Sequence, residues 1–305
     1  MKSILRIISL SLCLFLLSSC CFGGASSSSK TVQYECNHGL LNQELYKTGL
    51  KYNGNPVELD YAFNNVNMDS NFGLMLFLNG IIQPFTLDNE TESNIQIVEL
   101  STGTINKTVH ISFDPIIGKS GENLQLNIIA IFDAGSNYNT PTLAPAFYHS
   151  LSQSLPVSLY MGTNSSNTTQ TLYNSQYYCN FSNNSPTLLS DETCDDIIFS
   201  DEAISLDETF EFSLINTSEI DADYYIYAYI NNTPIKINEQ GLFLLACPAK
   251  SKISVTSKLL GNSIGKDDVF YIIAVPHQTE TTNYFQSTLK TKTIPLSVTV
   301  KGADK

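Results

Sequence analysis

Two stretches of the sequence share one pattern and decide the fold: M-D-S-N-F-G-L-M-L-F-L-N-G at residues 68–80 and I-D-A-D-Y-Y-I-Y-A-Y-I-N-N at residues 220–232. They align without a gap, so that Leu78 falls on Ile230. Each is a run of apolar and aromatic residues that ends at an asparagine-containing turn signal, which favours a strand followed by a hairpin. The chain therefore contains an internal repeat built on a β-hairpin.

Two further blocks repeat in the same order. G-E-N-L-Q-L-N-I-I-A-I at 121–131 matches G-K-D-D-V-F-Y-I-I-A-V at 265–275, and L-P-V-S-L at 155–159 matches I-P-L-S-V at 294–298. Short alternating apolar runs between polar turn clusters fill the rest of each copy. A copy of about 100 residues with about seven strands has the size of an immunoglobulin-like or fibronectin-like β-sandwich. The sequence predicts an all-β protein with two such domains in tandem.

The repeats imply an order of segments along the chain. We predict a leader at 1–19, a lipidated tether and leading segment at 20–51, a first sandwich at 52–163, a Ser/Asn-rich linker at 164–203 and a second sandwich at 204–305.

The leader has two basic residues and a short apolar run at 7–17. This run is too short for a spanning helix and is typical of a secretory signal. The four residues L-S-S-C at 17–20 resemble the lipobox of bacterial lipoproteins. The resemblance implies that Cys20 carries a lipid that anchors the chain outside the cytoplasm, in the bacterial cell envelope. An ordinary cleaved signal with incidental cysteines is the alternative.

Composition excludes one class of partner. The chain has 29 acidic and 16 basic residues, and its single arginine, Arg6, lies in the leader. A polyanion without guanidinium groups lacks the usual donors for phosphate, so we do not expect nucleic-acid binding. The expected partners are membrane lipid through Cys20 and a surface protein or glycan.

Cysteines outside the cytoplasm tend to pair. Cys179 and Cys194 flank a Ser/Asn/Pro segment and form the predicted local disulfide. Cys36 is left to pair with Cys21 or Cys247, and one thiol then stays free or pairs between chains.

Alternation along the second hairpin strand separates two faces. One face is the expected core, and the other carries Tyr225, Tyr227 and Tyr229. Such a row could stack on sugar rings or hold a protein partner. The alternative is that the row packs against the other domain or is covered by the linker.

Paired oxygen ligands precede the same strand in both copies, at Asp69 and Asn71 and at Asp221 and Asp223. They are candidates for calcium, although such residues also start strands through local hydrogen bonds. No other cofactor is expected.

None of the common catalytic or metal-binding motifs occurs, so we do not expect an enzyme. The sequence predicts a membrane-anchored, non-catalytic module for binding, adhesion or envelope assembly. Its alternatives are an accessory carbohydrate-binding lipoprotein that uses the tyrosine row and, less favoured, an envelope hydrolase.

Overall fold

The computed structural model describes residues 36–65, 70–101, 106–132, 134, 150–165, 187–188, 195–200, 204–205, 208–238, 241–259, 268–277, 288–291 and 293–297. Within these ranges nearly every element is a strand, and a single short helix, α1, spans Leu45–Thr48. The predicted all-β class is therefore confirmed. No helix in the same ranges is long and apolar enough to traverse a bilayer.

In the described ranges the first sandwich has eleven strands in two sheets. They are β1 (Cys36–Leu40), β2 (Leu50–Tyr52), β3 (Val57–Asn65), β4 (Ser70–Leu78), β5 (Ile81–Gln83), β6 (Thr86–Leu87), β7 (Gln96–Leu100), β8 (Lys107–Phe113), β9 (Asn123–Phe132), β10 (Leu151–Gln153) and β11 (Val157–Met161). One sheet has the order β1-β3-β8-β6. The seven-stranded sheet has the order β2-β11-β9-β4-β5, and β7 and β10 extend β4 and β9.

The second sandwich is built in the same way. Its strands are β12 (Thr187–Leu188), β13 (Asp196–Phe199), β14 (Ile204–Ser205), β15 (Thr209–Asn216), β16 (Ala222–Ile230), β17 (Thr233–Ile235), β18 (Phe243–Cys247), β19 (Ser251–Lys258), β20 (Val269–Pro276), β21 (Leu289–Lys290) and β22 (Ile294–Ser297). The four-stranded sheet has the order β12-β19-β15-β13, and the seven-stranded sheet has the order β14-β22-β20-β16-β17, with β18 on β16 and β21 on β20.

The two seven-stranded sheets have the same topology, strand for strand. Each has one parallel pair, β2 with β11 and β14 with β22, and is otherwise antiparallel. The four-stranded sheets differ in one edge strand. In the first sandwich this strand, β6, comes from the segment between β5 and β7, whereas in the second it is β12, which precedes the rest of the domain.

The hairpin turn that ends the repeated motif is the same in both copies. Asn79 and Gly80 have φ values of 46° and 83°, and Asn231 and Asn232 have φ values of 46° and 65°. Positive φ at both central positions is the type I′ geometry that joins twisted antiparallel strands. Asparagine and glycine tolerate positive φ, which is why the Asn-Gly and Asn-Asn pairs predict this turn.

Each sandwich has its own core between its two sheets. The inner face of β4 contributes Phe72, Leu74, Leu76 and Leu78 to the first core. The inner face of β16 contributes Tyr224, Ile226, Ala228 and Ile230 to the second. The alternation in the sequence therefore identified the core face of both strands correctly.

Two details of the sequence alignment change. Val157 pairs with Leu126 and Ile294 pairs with Phe270, so Ile294 corresponds to Val157 rather than to Leu155. A shift of two residues keeps every side chain on its face, which is why the alternation did not reveal it. Strands also begin before the predicted domain starts at 52 and 204: β1 and β2 belong to the first sandwich, and β12 and β13 to the second.

Candidate functional site: the face between the sandwiches

The outer faces of the two seven-stranded sheets pack on each other and form a third apolar cluster. The first sandwich contributes Met75, Phe77, Ile129, Ile131 and Ala134, and the second contributes Tyr227, Tyr229, Tyr271, Ile273 and Val275. We call this cluster the inter-sandwich interface. It arises because β9 and β20 carry apolar side chains on both faces, which is typical of strands that are covered on both sides.

One tyrosine joins the sandwiches by polar contacts as well. The Tyr227 hydroxyl donates to the Gly80 carbonyl at 2.8 Å and accepts from the Ile82 N–H at 3.1 Å. Its ring lies 5.5 Å from the Phe77 ring, measured between centroids. The hydroxyl therefore pairs with the carbonyl of the turn and with an N–H of β5, an edge strand of the first sandwich whose outward backbone groups need partners.

The two hairpin turns contact the opposite sandwich at corresponding places. Gly80 sits so close to the Tyr225 ring and the Pro276 carbonyl that a Cβ there would lie 2.6 Å from a ring carbon and 2.8 Å from the carbonyl oxygen. Asn232, its counterpart, donates from its side chain to the Ala134 carbonyl. Each turn thus rests on the far end of the partner sheet, and the interface has approximate twofold symmetry.

A polar strip borders the apolar contacts. The Thr288 N–H donates to the Gln153 carbonyl oxygen Oε1 at 2.7 Å, and Gln153 Nε2 donates to Asn127 Oδ1 at 3.3 Å. The buried polar atoms without a hydrogen-bond partner among the described residues include three in this region: Asn127 Nδ2, the Tyr229 hydroxyl and Thr288 Oγ1. Each such group weakens the interface, because burying an unpaired donor or acceptor costs about 1–3 kcal/mol.

Burial dominates the ionisation of the side chains in this region. The Tyr229 and Tyr271 rings stack at 5.2 Å, and burial raises the pKa of both hydroxyls. Lys290 lies over the Tyr271 ring, with its ammonium nitrogen 4.5 Å from the ring centroid. It donates to the Thr291 carbonyl and to Thr293 Oγ1, and desolvation lowers the pKa of its amine to about 7.

This geometry corrects the idea of an open tyrosine platform. Tyr227 and Tyr229 are only 5% and 0% exposed, because the first sandwich covers them. Tyr225 is partly buried at the rim, against Gly80 and His277. The alternative in which the row packs against the other domain is the one that the structure contains. Met75 and Phe77 carry the sequence signal for this packing, because they make the equivalent face of the first sandwich apolar too.

Other predicted site residues fall in three groups. Cys20, Cys21, Cys179, Cys194 and Asp69 lie outside the described residues. The Asp221 carboxylate accepts from the Ala249 N–H at 2.9 Å, in the turn between β18 and β19. Asn71 lies in β4 and Asp223 lies in β16, the corresponding strands of the two sandwiches.

The described part of the chain contains no group of three His, Cys, Asp or Glu side chains arranged to hold a metal ion. Since Asp69 lies outside that part, calcium binding by the two paired motifs stays a prediction.

Cys247 is a free thiol in the core of the second sandwich. Its sulfur lies 3.7 Å from the Leu214 carbonyl oxygen and 3.8 Å from the Ser251 carbonyl oxygen. Burial raises the pKa of the thiol to about 11, so almost no thiolate is present at neutral pH. The proposed pairing of this cysteine with Cys36 is not found, and the thiol is held as a small core side chain.

Two histidines of the first sandwich have contrasting surroundings. His38 Nδ1 lies 2.6 Å from the Tyr61 hydroxyl, and its Nε2 is buried without a hydrogen-bond partner among the described residues. Burial lowers the pKa of this imidazole to about 4. His110 is more exposed and lies 3.0 Å from the Asp60 carboxylate. Both histidines lie in the four-stranded sheet, whereas the inter-sandwich interface is formed by the seven-stranded sheets.

Comparison with known proteins gives no family. No family model matches the chain, and no curated protein matches it. Among solved structures, the periplasmic chaperone SfaE is 12% identical with a TM-score of 0.23, over 86% of this chain and 100% of that one. The E. coli chaperone DraB is 9% identical with a TM-score of 0.28, over 87% and 97%.

The Salmonella enterica SafA pilin in complex with the SafB chaperone gives 10% identity and a TM-score of 0.25, over 81% of this chain and 92% of that one. Scores this low carry no functional argument. The β-sandwich assignment rests on the sheets and cores described above.

Proposed function

We propose that the protein is a lipoprotein of the bacterial cell envelope, held outside the cytoplasm by Cys20, and that its paired sandwiches act as a non-catalytic binding or assembly module. The observation that carries the proposal is the L-S-S-C motif at 17–20, which begins at the last residue of an apolar run and is followed, after Cys21 and Phe22, by a Gly/Ser-rich segment. A lipid contributes roughly 0.8 kcal/mol of membrane affinity per buried methylene, so several acyl chains anchor a protein stably.

The fold supports a function in which exposed surfaces bind a partner. Residues 35–305 form one compact unit, in which two complete sandwiches share an interface. Their four-stranded sheets face away from that interface. On the first of these sheets Glu58 and Asp60 are exposed, and Asp88 is exposed at its edge. A partner at the membrane surface would meet these outward sheets and the loops.

Burial of the tyrosine row removes the feature on which sugar binding was predicted. We therefore do not carry a carbohydrate-binding function forward. The geometry favours an unidentified protein partner that binds at an outward surface.

Replacing the lipid acceptor tests the anchor. We expect Cys20→Ala to move the full chain from the membrane fraction to the soluble fraction, because no acyl chain can be attached. Cys21→Ala is the matched control and should stay with membranes. Detergent phase partitioning and the mass of the N-terminal peptide measure the result. A Cys20→Ala chain that still fractionates with membranes contradicts the proposal.

A further inference from the structure

We infer that the inter-sandwich interface also forms between two copies of the chain, so that the first sandwich of one copy packs on the second sandwich of the other and the reverse. The partner of the tyrosine face is then the apolar face of a second copy. The contacts that would hold such a dimer are those already seen within one chain.

The first argument is that the sandwiches are separable. Each has a core of its own, and the interface residues belong to neither core. The hydrogen bonds that cross the interface include two made by the Tyr227 hydroxyl, one by Asn232 and one by Thr288. Breaking the interface would therefore leave two closed sandwiches, each with its own buried core.

The second argument is the length of the connection. Residues 162–165 are still held on the first sandwich, where the Ser165 N–H donates to the Gly118 carbonyl at 3.0 Å, so the connection to β12 consists of residues 166–186. A chain of that length spans up to about 70 Å when fully extended. Its length therefore allows contact within one copy or with a neighbouring copy.

The third argument is symmetry. Gly80 and Asn232 occupy equivalent turns and contact the opposite sandwich at equivalent ends of the sheets. A reciprocal dimer would contain this interface twice and would close on itself, as isologous assemblies do, rather than grow into a filament.

Concentration decides between the closed and the exchanged form. The interface contacts are the same in the closed monomer and in the exchanged dimer. The ratio of the two forms therefore depends on the effective concentration of one sandwich around the other, which is in the millimolar range for short flexible links and lower for longer ones. This last step rests on the proposed function, since confinement by the Cys20 lipid would raise the local concentration of neighbours and favour exchange.

The three polar atoms without partners also matter here. Asn127 Nδ2, the Tyr229 hydroxyl and Thr288 Oγ1 regain hydrogen bonds to water when the interface opens. This lowers the free energy of opening, which is the step that exchange requires.

A complementation experiment tests the inference with full chains in detergent. Phe77→Asp disrupts the first face and leaves the second intact, whereas Tyr229→Asp does the opposite. Each variant carries a different affinity tag. The two are co-expressed, captured through one tag and probed for the other. A mixed dimer retains one undamaged interface, whereas a pair of identical variants retains none.

We expect capture of the mixed pair to exceed capture of either identical pair by at least tenfold. Tyr160→Asp is the matched control for an aromatic-to-acid change on an exposed strand, and two tagged copies of it should behave as the wild type does. Equal recovery from mixed and identical pairs overturns the inference, as does the absence of recovery from both.

Circular dichroism and thermal melting check that each variant keeps its two sandwich cores, which contain neither Phe77 nor Tyr229. Repeating the capture with Cys20→Ala chains separates the two proposals. Recovery that persists in solution supports exchange without the anchor. Loss of membrane association by the same chains supports the anchor independently.

Discussion

The outer faces of β4 and β16 occupy equivalent places in the two sandwiches but differ in chemistry. The first presents Met75 and Phe77, and the second presents Tyr227 and Tyr229 at the same positions. The two faces are not interchangeable in the interface, because only the face of β16 contributes hydroxyl groups. One hydroxyl binds the edge of the opposite sandwich and the other has no partner among the described residues. The interface thus combines a symmetric frame with an asymmetric set of polar contacts.

The turn of the first sandwich offers the strongest way to break this arrangement. Gly80→Ala would place a Cβ against Tyr225 and Pro276 and would force a non-glycine residue to φ 83°. We expect a loss of about 3 kcal/mol in the free energy of unfolding, from strain and overpacking together.

Gly121→Ala is the matched control for Gly80→Ala. Gly121 has φ 92°, and a Cβ added there would meet no atom within 4 Å beyond its chain neighbours. Its cost should be near 1 kcal/mol, from the backbone conformation alone. Urea denaturation of both variants measures the difference. Equal losses would mean that the turn does not press on the second sandwich.

A second contrast lies in the cores. On the edge strand β1 of the first four-stranded sheet, His38 pairs with Phe63, whereas the edge strand β13 of the second, Asp196–Phe199, carries no histidine. The unfolded chain protonates His38 below pH 6.5, whereas the folded chain does so only when the pH falls to its lowered pKa of about 4. The unfolded state binds more protons in that window, so stability is complete above pH 6.5 and is lost as the pH falls toward 4, by up to about 3 kcal/mol.

His38→Phe replaces the titratable imidazole with an apolar ring. We expect it to remove this part of the acid sensitivity and to avoid burying the unpaired Nε2. Denaturation of wild type and variant at pH 7.5 and pH 4.5 measures the effect, and the difference between the proteins cancels the titration of the carboxylates. An unchanged pH dependence would show that His38 is not buried as a neutral imidazole.

The smallest expected effect is the difference in stability between Tyr227→Phe and Tyr229→Phe. Tyr227→Phe removes two hydrogen bonds to backbone groups of β5 and its turn, and should cost about 1–2 kcal/mol. Tyr229→Phe removes a hydroxyl that has no partner among the described residues, so it should be neutral or slightly stabilising. Thermal melting of the two variants decides the order. A larger loss from Tyr229→Phe would contradict the assignment of Tyr227 as the polar link.

The repeat made the fold predictable. Alternation in residues 68–80 and 220–232 fixed which side chains face the cores, and the asparagine turns fixed the hairpins. The domain starts were placed too late because β1, β2, β12 and β13 are short and lack a distinctive pattern. The third repeat block was displaced by two residues because side-chain alternation is blind to such a shift.

The site was harder to predict. The tyrosine row was found, yet its exposure could not be read from β16 alone, because burial depends on what the opposite sheet presents. Residues 121–131 and 265–275 held the missing signal, since strands that are apolar on both faces need cover on both sides.

By itself the sequence determined the β class, the two repeated sandwiches, the hairpin turns and the candidate lipid attachment at Cys20, because these depend on local patterns and on short motifs. Only the tertiary structure decided that the tyrosine row is an internal interface. It also decided that Tyr227 and Gly80 meet although 147 positions separate them in the chain. Contacts of that kind follow from the packing of one finished sheet on another, and no local periodicity encodes which faces will meet.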